Sequence, residues 1–161
     1  MIDLFKIGLK SFLLNPIFLS AIFSWFIAQF IKTFINLIYG RIHSFYELIE
    51  VLIWRTGGMP SSHSALVTSA CTAIGFKNGV NSDLFMLSLI LCMVVVRDAV
   101  GVRRSSGIQA HKLNQLGTEL EEKGIVEKYE KTKEVNGHTP MQVIFGCILG
   151  FLVGCSFSLL K

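Results

Sequence analysis

Charge is scarce in this chain. Only 16% of its 161 residues are Asp, Glu, Lys or Arg, where a soluble domain carries nearer a quarter. Cysteine is scarce too. Cys71, Cys92, Cys147 and Cys155 all lie inside apolar stretches and show no C-x-x-C spacing. That pattern implies neither a disulfide framework nor a zinc site and leaves four small buried hydrophobes. A cleavage site is also missing. The apolar stretch at 11–31 is too long for a secretory signal, and Phe, Trp and Gln stand where small residues would be needed. It reads as a retained helix.

What is present is apolar and clustered. Hydrophobic residues make up 52% of the chain, and mean hydropathy is +0.57. Long apolar runs point to membrane helices. Four runs stand out, at roughly 11–31, 62–76, 84–96 and 139–160. About 20 apolar residues span a bilayer, so the first and fourth suffice alone, and the second and third need their polar ends. Residues 33–53 mix Arg41, His43, Glu47 and Glu50 with bulky apolar residues, as an amphipathic helix at the interface does. The expected fold is an all-α, integral-membrane bundle of about four transmembrane helices plus this interfacial helix, in a single domain over 1–161. In the fourth run, Gly146, Gly150 and Gly154 recur every four residues. Such a small-residue face serves close packing within the chain or the seam of a homo-oligomer.

With four spans, segments 32–60 and 97–138 share one side of the membrane. Of the 15 Lys and Arg residues, 11 fall on that side and 4 on the side of the termini. The positive-inside rule then places the shared side in the cytoplasm, with the cell membrane as the expected location. The polar segment 103–138 lies there. Its later half, Glu119 to Glu134, is dense in both signs and reads as a solvated helix with stacked ion pairs. Asp98, Arg103 and Arg104 differ, because they sit where the third run leaves the membrane, a costly depth for an ionisable group without a partner.

Two histidines occupy equivalent places. His63, in G-G-M-P-S-S-H-S, begins the second run, and His138, in N-G-H-T-P-M-Q-V, begins the fourth. Both fall on the basic side, with Lys32, Arg55, Arg103 and Arg104. Histidine can attack phosphorus covalently, and a second imidazole can protonate a leaving oxygen. Cations stabilise the charge that develops. Backbone N–H groups at a helix start accept an anion. The pattern therefore points to phosphoryl transfer. His43 and His111 lack such flanking motifs and read as interfacial polar residues.

The stretch P-S-S-H at 60–63 resembles the P-S-G-H signature of the type 2 phosphatidic acid phosphatase superfamily, which includes the vanadium-dependent haloperoxidases. H-T-P-M-Q-V-I-F-G-C-I-L-G at 138–150 is similar to its H-x-x-x-D-V-x-x-G-x-x-x-G signature. With R-D-A-V-G-V-R-R-S-S-G-I-Q-A-H-K-L-N at 97–114, the ordered set resembles a divergent branch of that superfamily. The resemblance implies His63 as general acid, His138 as the nucleophile that becomes a phosphohistidine, and Ser61 and Ser62 as a phosphate cradle. Lys32 corresponds to the lysine of the first signature, although Arg41 and Arg55 do not complete it. Two further positions depart. Gln142 stands where the family has the aspartate that orients the nucleophile, and Thr132 stands where it has an arginine. Asp98 is expected to replace the carboxylate, and Arg103 or Arg104 the arginine.

The implied activity is hydrolysis of a lipid phosphate or pyrophosphate without metal or cofactor, and no nucleic-acid partner is expected. Haloperoxidase chemistry is not, since it needs vanadate in a soluble domain. Two alternatives are a weak or inactive relative that binds or moves a phospholipid or polyprenyl phosphate, and a structural membrane partner.

Overall fold

The computed structural model describes residues 2–53, 58–134 and 137–160. These form seven helices: α1 (Ile2–Leu13), α2 (Pro16–Ile38), α3 (Phe45–Ile53), α4 (Ser62–Asn78), α5 (Asp83–Val100), α6 (Val102–Glu122) and α7 (Pro140–Leu159). There is no strand among the described residues.

Local chemistry divides the apolar runs differently from the expectation. The run at 11–31 is not one helix. Asn15 accepts the Ile17 N–H at 3.0 Å and Pro16 takes the first helical position, so a cap and a ring without an N–H start α2 afresh. Residues 33–38 complete α2 instead of opening an amphipathic helix. The chain turns at Gly40, at φ 62°, and the interfacial element shrinks to the nine residues of α3. There Val51 is buried while Phe45 and Tyr46 are each 78% exposed. The helix expected in the later half of the polar segment occupies the earlier half instead. α6 ends at Glu122, and Gly124 at φ 65° reverses the chain.

The bundle is inside-out relative to a soluble protein. Its core is small and polar: Ser20, Ser24, Ala28, Ser61, Ser64, Ala65 and Ser69 are fully buried. The largest side chain less than 2% exposed is only Val51. The bulky residues face outward, with Phe26, Phe30, Phe34, Leu87, Ile90 and Met93 each more than half exposed. Lipid solvates such a surface, while small residues let helix backbones approach. Three stretches, Pro16–Ile38, Asp83–Glu122 and Pro140–Leu159, are long and apolar enough to cross a membrane. The chain is a membrane protein. The shorter α4 packs against α2, α5 and α7 at the centre.

The glycines of α7 decide how α4 and α7 meet. A Cβ on Gly146 would run into the Ser61 carbonyl, one on Gly150 into the Ala65 backbone, and one on Gly154 into Ser69 and Thr72. The two helices therefore run parallel, residue for residue, and start at the same end of the bundle. α4 occupies this face within the chain, so a homo-oligomer would need a different surface.

Gly150→Leu should overpack this contact and cost about 1–3 kcal/mol or more, read as a lowered detergent melting temperature. Gly8→Leu, where a side chain meets open space, should leave the melt unchanged.

Candidate functional site

The site lies where α4 and α7 begin. Ser61 caps α4, its side chain accepting from the Ser64 N–H at 3.4 Å and from the Ser64 hydroxyl at 2.9 Å. The Ser61 N–H donates to the Gln142 carbonyl at 2.9 Å, which stitches the loop of one motif to the helix of the other. Ser61 is thus committed to structure. The Ser62 and His63 N–H groups, in the first turn of α4, have no acceptor among the described residues, as the opening donors of a helix lack one. Of the N–H groups around Ser61 and Ser62, those of Ser62 and His63 are therefore the open ones, and that of Ser61 is not.

α7 opens with a capping box. Thr139 accepts the Gln142 N–H at 3.4 Å, and Gln142 Oε1 accepts the Thr139 N–H at 3.0 Å. The same Oε1 lies 3.2 Å from His138 Nδ1. An oxygen held as an acceptor requires Nδ1 to carry the proton. Nε2 is then the basic nitrogen. Gln142 thereby performs the orienting half of the role the family assigns to an aspartate, without its charge. Asp98, expected to supply that carboxylate, instead accepts from Arg103 Nε at 2.5 Å.

His138 is only 6% exposed. Burial pushes its pKa below the ordinary histidine value. The Gln142 hydrogen bond opposes this, and the charges of Lys32, His63 and Arg103 reinforce it. His63 is exposed, and the charges of Arg103, Lys32 and Asp98 act on it.

Lys32 is the unusual member. It is 3% exposed, and its ammonium donates to Gln29 Oε1 at 2.8 Å and to Ser62 Oγ at 3.3 Å. Neither acceptor is charged, and no carboxylate pairs with Lys32 among the described residues. Gly58, at φ 82°, lies against the lysine stem, where a Cβ would sit 3.3 Å from Cγ. A buried cation without an anion is costly in a membrane protein.

Of the other sequence candidates, Arg104 lines a groove with His111, Lys112 and Gly137. Arg55 lies outside the described residues. No group of three or more His, Cys, Asp or Glu side chains gathers among the described residues as a metal would require.

Gln29 and Asn114 were given no role from the sequence. Gln29 could have been found from its place one turn before Lys32. Gly137 lies so close to the Arg103–Arg104 backbone that any Cβ would overlap it, which brings the loop ahead of His138 against α6. Asn114 holds that loop from further back. Its amide donates to the Thr132 carbonyl and to Glu134, both at 2.8 Å. Its oxygen accepts the Thr132 N–H at 2.8 Å and the Tyr129 hydroxyl at 3.0 Å. Asn114, and after it His111, hold the Glu134 carboxyl below the usual carboxylate range.

Two comparisons bear on identity. The sequence profile of the divergent PAP2 family matches residues 13–153. The chain belongs to that family. It is also 37% identical over 145 residues to YuiD of Bacillus subtilis (strain 168), an uncharacterized membrane protein, covering 84% of this chain and 89% of the relative. No solved structure matches.

Two outcomes follow from the geometry. Because the folded pKa of His138 lies below its unfolded value, the unfolded chain binds the extra proton first as pH falls. Stability should be unaffected above the ordinary histidine value of 6.5, fall as pH drops below it, and level off below the folded pKa. His138→Gln should flatten that part of a melting-temperature profile. Asn114→Ala should cost about 2 kcal/mol and speed proteolytic cleavage within 125–134.

Proposed function

We propose that this membrane protein is a phosphatase that hydrolyses a lipid phosphate or pyrophosphate through a phosphohistidine. The observation that carries this reading is the buried, anion-free ammonium of Lys32, set beside two histidines at the converging starts of α4 and α7. A phosphoryl group at that point would meet the ammonium of Lys32 as its counter-charge. It would also meet the open N–H groups of Ser62 and His63 and the positive ends of two helix dipoles.

In this mechanism His138 Nε2 attacks phosphorus and the P–O bond to the lipid breaks. The leaving oxygen takes a proton from His63. Water then attacks the phosphohistidine, gives a proton to His63, and releases phosphate with His138 restored. A neutral, buried His138 suits a nucleophile, since only the neutral form has a free lone pair. The cost lies in the charged intermediate. Gln142 orients the imidazole but cannot balance an imidazolium, and loss of one such stabilising group commonly lowers rates by about 10²- to 10³-fold. Slow turnover is therefore expected.

A second reading, binding or translocation of a phospholipid or polyprenyl phosphate without cleavage, is favoured by the same pair of facts: Gln142 is neutral and Asp98 is held by Arg103. The excess of Lys and Arg on the site's side argues for the cytoplasmic face of the cell membrane.

The deciding assay is phosphate release by purified protein in detergent, against a panel of lipid phosphates and pyrophosphates. Release should fall to background in His138→Ala and in Lys32→Met, and at least 10²-fold in His63→Ala. Gln142→Glu keeps the capping box and adds the charge, so it should raise the rate and the titration midpoint of His138 by NMR. Lipid phosphate that binds without release in the wild type would select the second reading.

A further inference from the structure

Asn114 closes the motif at 97–114, and its side chain is saturated. A primary amide offers two donors and two acceptor lone pairs. The donors reach the Thr132 carbonyl and Glu134, both at 2.8 Å. The oxygen accepts the Thr132 N–H at 2.8 Å and the Tyr129 hydroxyl at 3.0 Å. Asn114 is 7% exposed, so losing these bonds would strand polar groups away from water. On the same face of α6, one turn further, Gly117 leaves room for the Tyr129 ring, which a Cβ there would overlap. The neighbouring His111–Glu134 pair is 3.1 Å long but exposed, and such pairs contribute little.

The chain held in this way leads to His138. Gly124 turns it after α6, and residues 125–134 return to α6 without helix. Gly137 then meets the first turn of α6, where a Cβ would overlap the Arg104 backbone. The returning chain thus touches α6 at two points, Asn114 and Arg104. From Asn114 back to Arg104 is about 15 Å of helix at 1.5 Å per residue. From Thr132 to Gly137 the chain reaches at most about 18 Å. Little slack remains between the two anchors. Where Asn114 holds Thr132 therefore limits where Gly137, and His138 after it, can sit. Gln142 Oε1, 3.2 Å from His138 Nδ1, sets the turn of the ring but not the approach of the chain.

We propose that Asn114 is a positioning residue for His138, acting through the short tether from Thr132 to Gly137. Its effect on catalysis rests on the phosphohistidine reading above, while its effect on His138 itself does not. The motif at 97–114 thereby gains a role: Arg104 and Asn114 are the two points on α6 between which the approach to His138 is measured.

The test uses the full chain in detergent, with the His138 imidazole followed by NMR on isotope-labelled histidine and assigned with His138→Gln. Burial holds the His138 midpoint below the ordinary histidine value, so freeing the tether and letting water in should raise it. Asn114→Ala should raise the midpoint and lower kcat for phosphate release about 10- to 100-fold, with KM within about twofold, because Lys32 is untouched. Asn114→Ala also weakens the fold, so a second variant separates position from stability. Two glycines inserted after Glu134 leave every Asn114 bond in place and add about 7 Å of reach. The insertion should raise the midpoint and lower kcat in the same way, with the melting temperature unchanged. His111→Ala should leave midpoint and kcat at wild-type values. An insertion variant with wild-type midpoint and kcat would make Asn114 purely structural and overturn the proposal, as would folded Asn114→Ala with an unmoved midpoint. A wild type that releases no phosphate removes the phosphatase reading alone, and a raised midpoint in both variants then still upholds the positioning role.

Discussion

Gly146, Gly150 and Gly154 let α7 lie directly against the backbone of α4, and this contact sets the rest of the site. It fixes the two helices parallel and in register. Their first turns then coincide, and the Ser61 N–H reaches the Gln142 carbonyl. A side chain at any of the three positions would push the helices apart. In lipid, where burying apolar surface gives little reason for helices to associate, close backbone approach is the main attraction available. The serine-rich core has the same origin.

Around that contact, polar groups are held by their neighbours with few charges in balance. Gln142 closes the cap of α7 and sets the tautomer of His138. Gln29 and Ser62 hold Lys32 in place. Asp98 and Arg103 neutralise one another at the exit of α5. Lys32 is left as the buried charge without an opposite partner among the described residues. Neutral acceptors orient an ammonium but do not cancel its charge.

The two histidine motifs were legible in the sequence because each combines turn residues, small hydroxyls and an imidazole at a helix start. Apolar runs were legible for the same reason of composition. Their subdivision was less so: Asn15–Pro16 is a local cap signal hidden inside a continuous apolar run, and Gly40 and Gly124 are single residues whose positive φ ends an element. The charged stretch 119–134 looked helical by pattern. Beyond Glu122 it instead turns and returns to α6 without helix, where the Asn114 amide pairs with both backbone groups of Thr132. Asn114 is separated from that segment by 18 residues, so no local pattern announces the pairing.

By itself, the sequence determined the class of molecule: a helical membrane protein, a glycine face on its last helix, and two histidines on one polar side. These follow from composition and short-range periodicity, which need no partner to be read. Tertiary structure decided which groups meet. It put Gln142, not Asp98, on His138, gave Asp98 to Arg103, turned Ser61 from a ligand group into a cap, and filled the glycine face with α4. Each of these depends on distances between helices far apart in the chain, and those distances are set by packing.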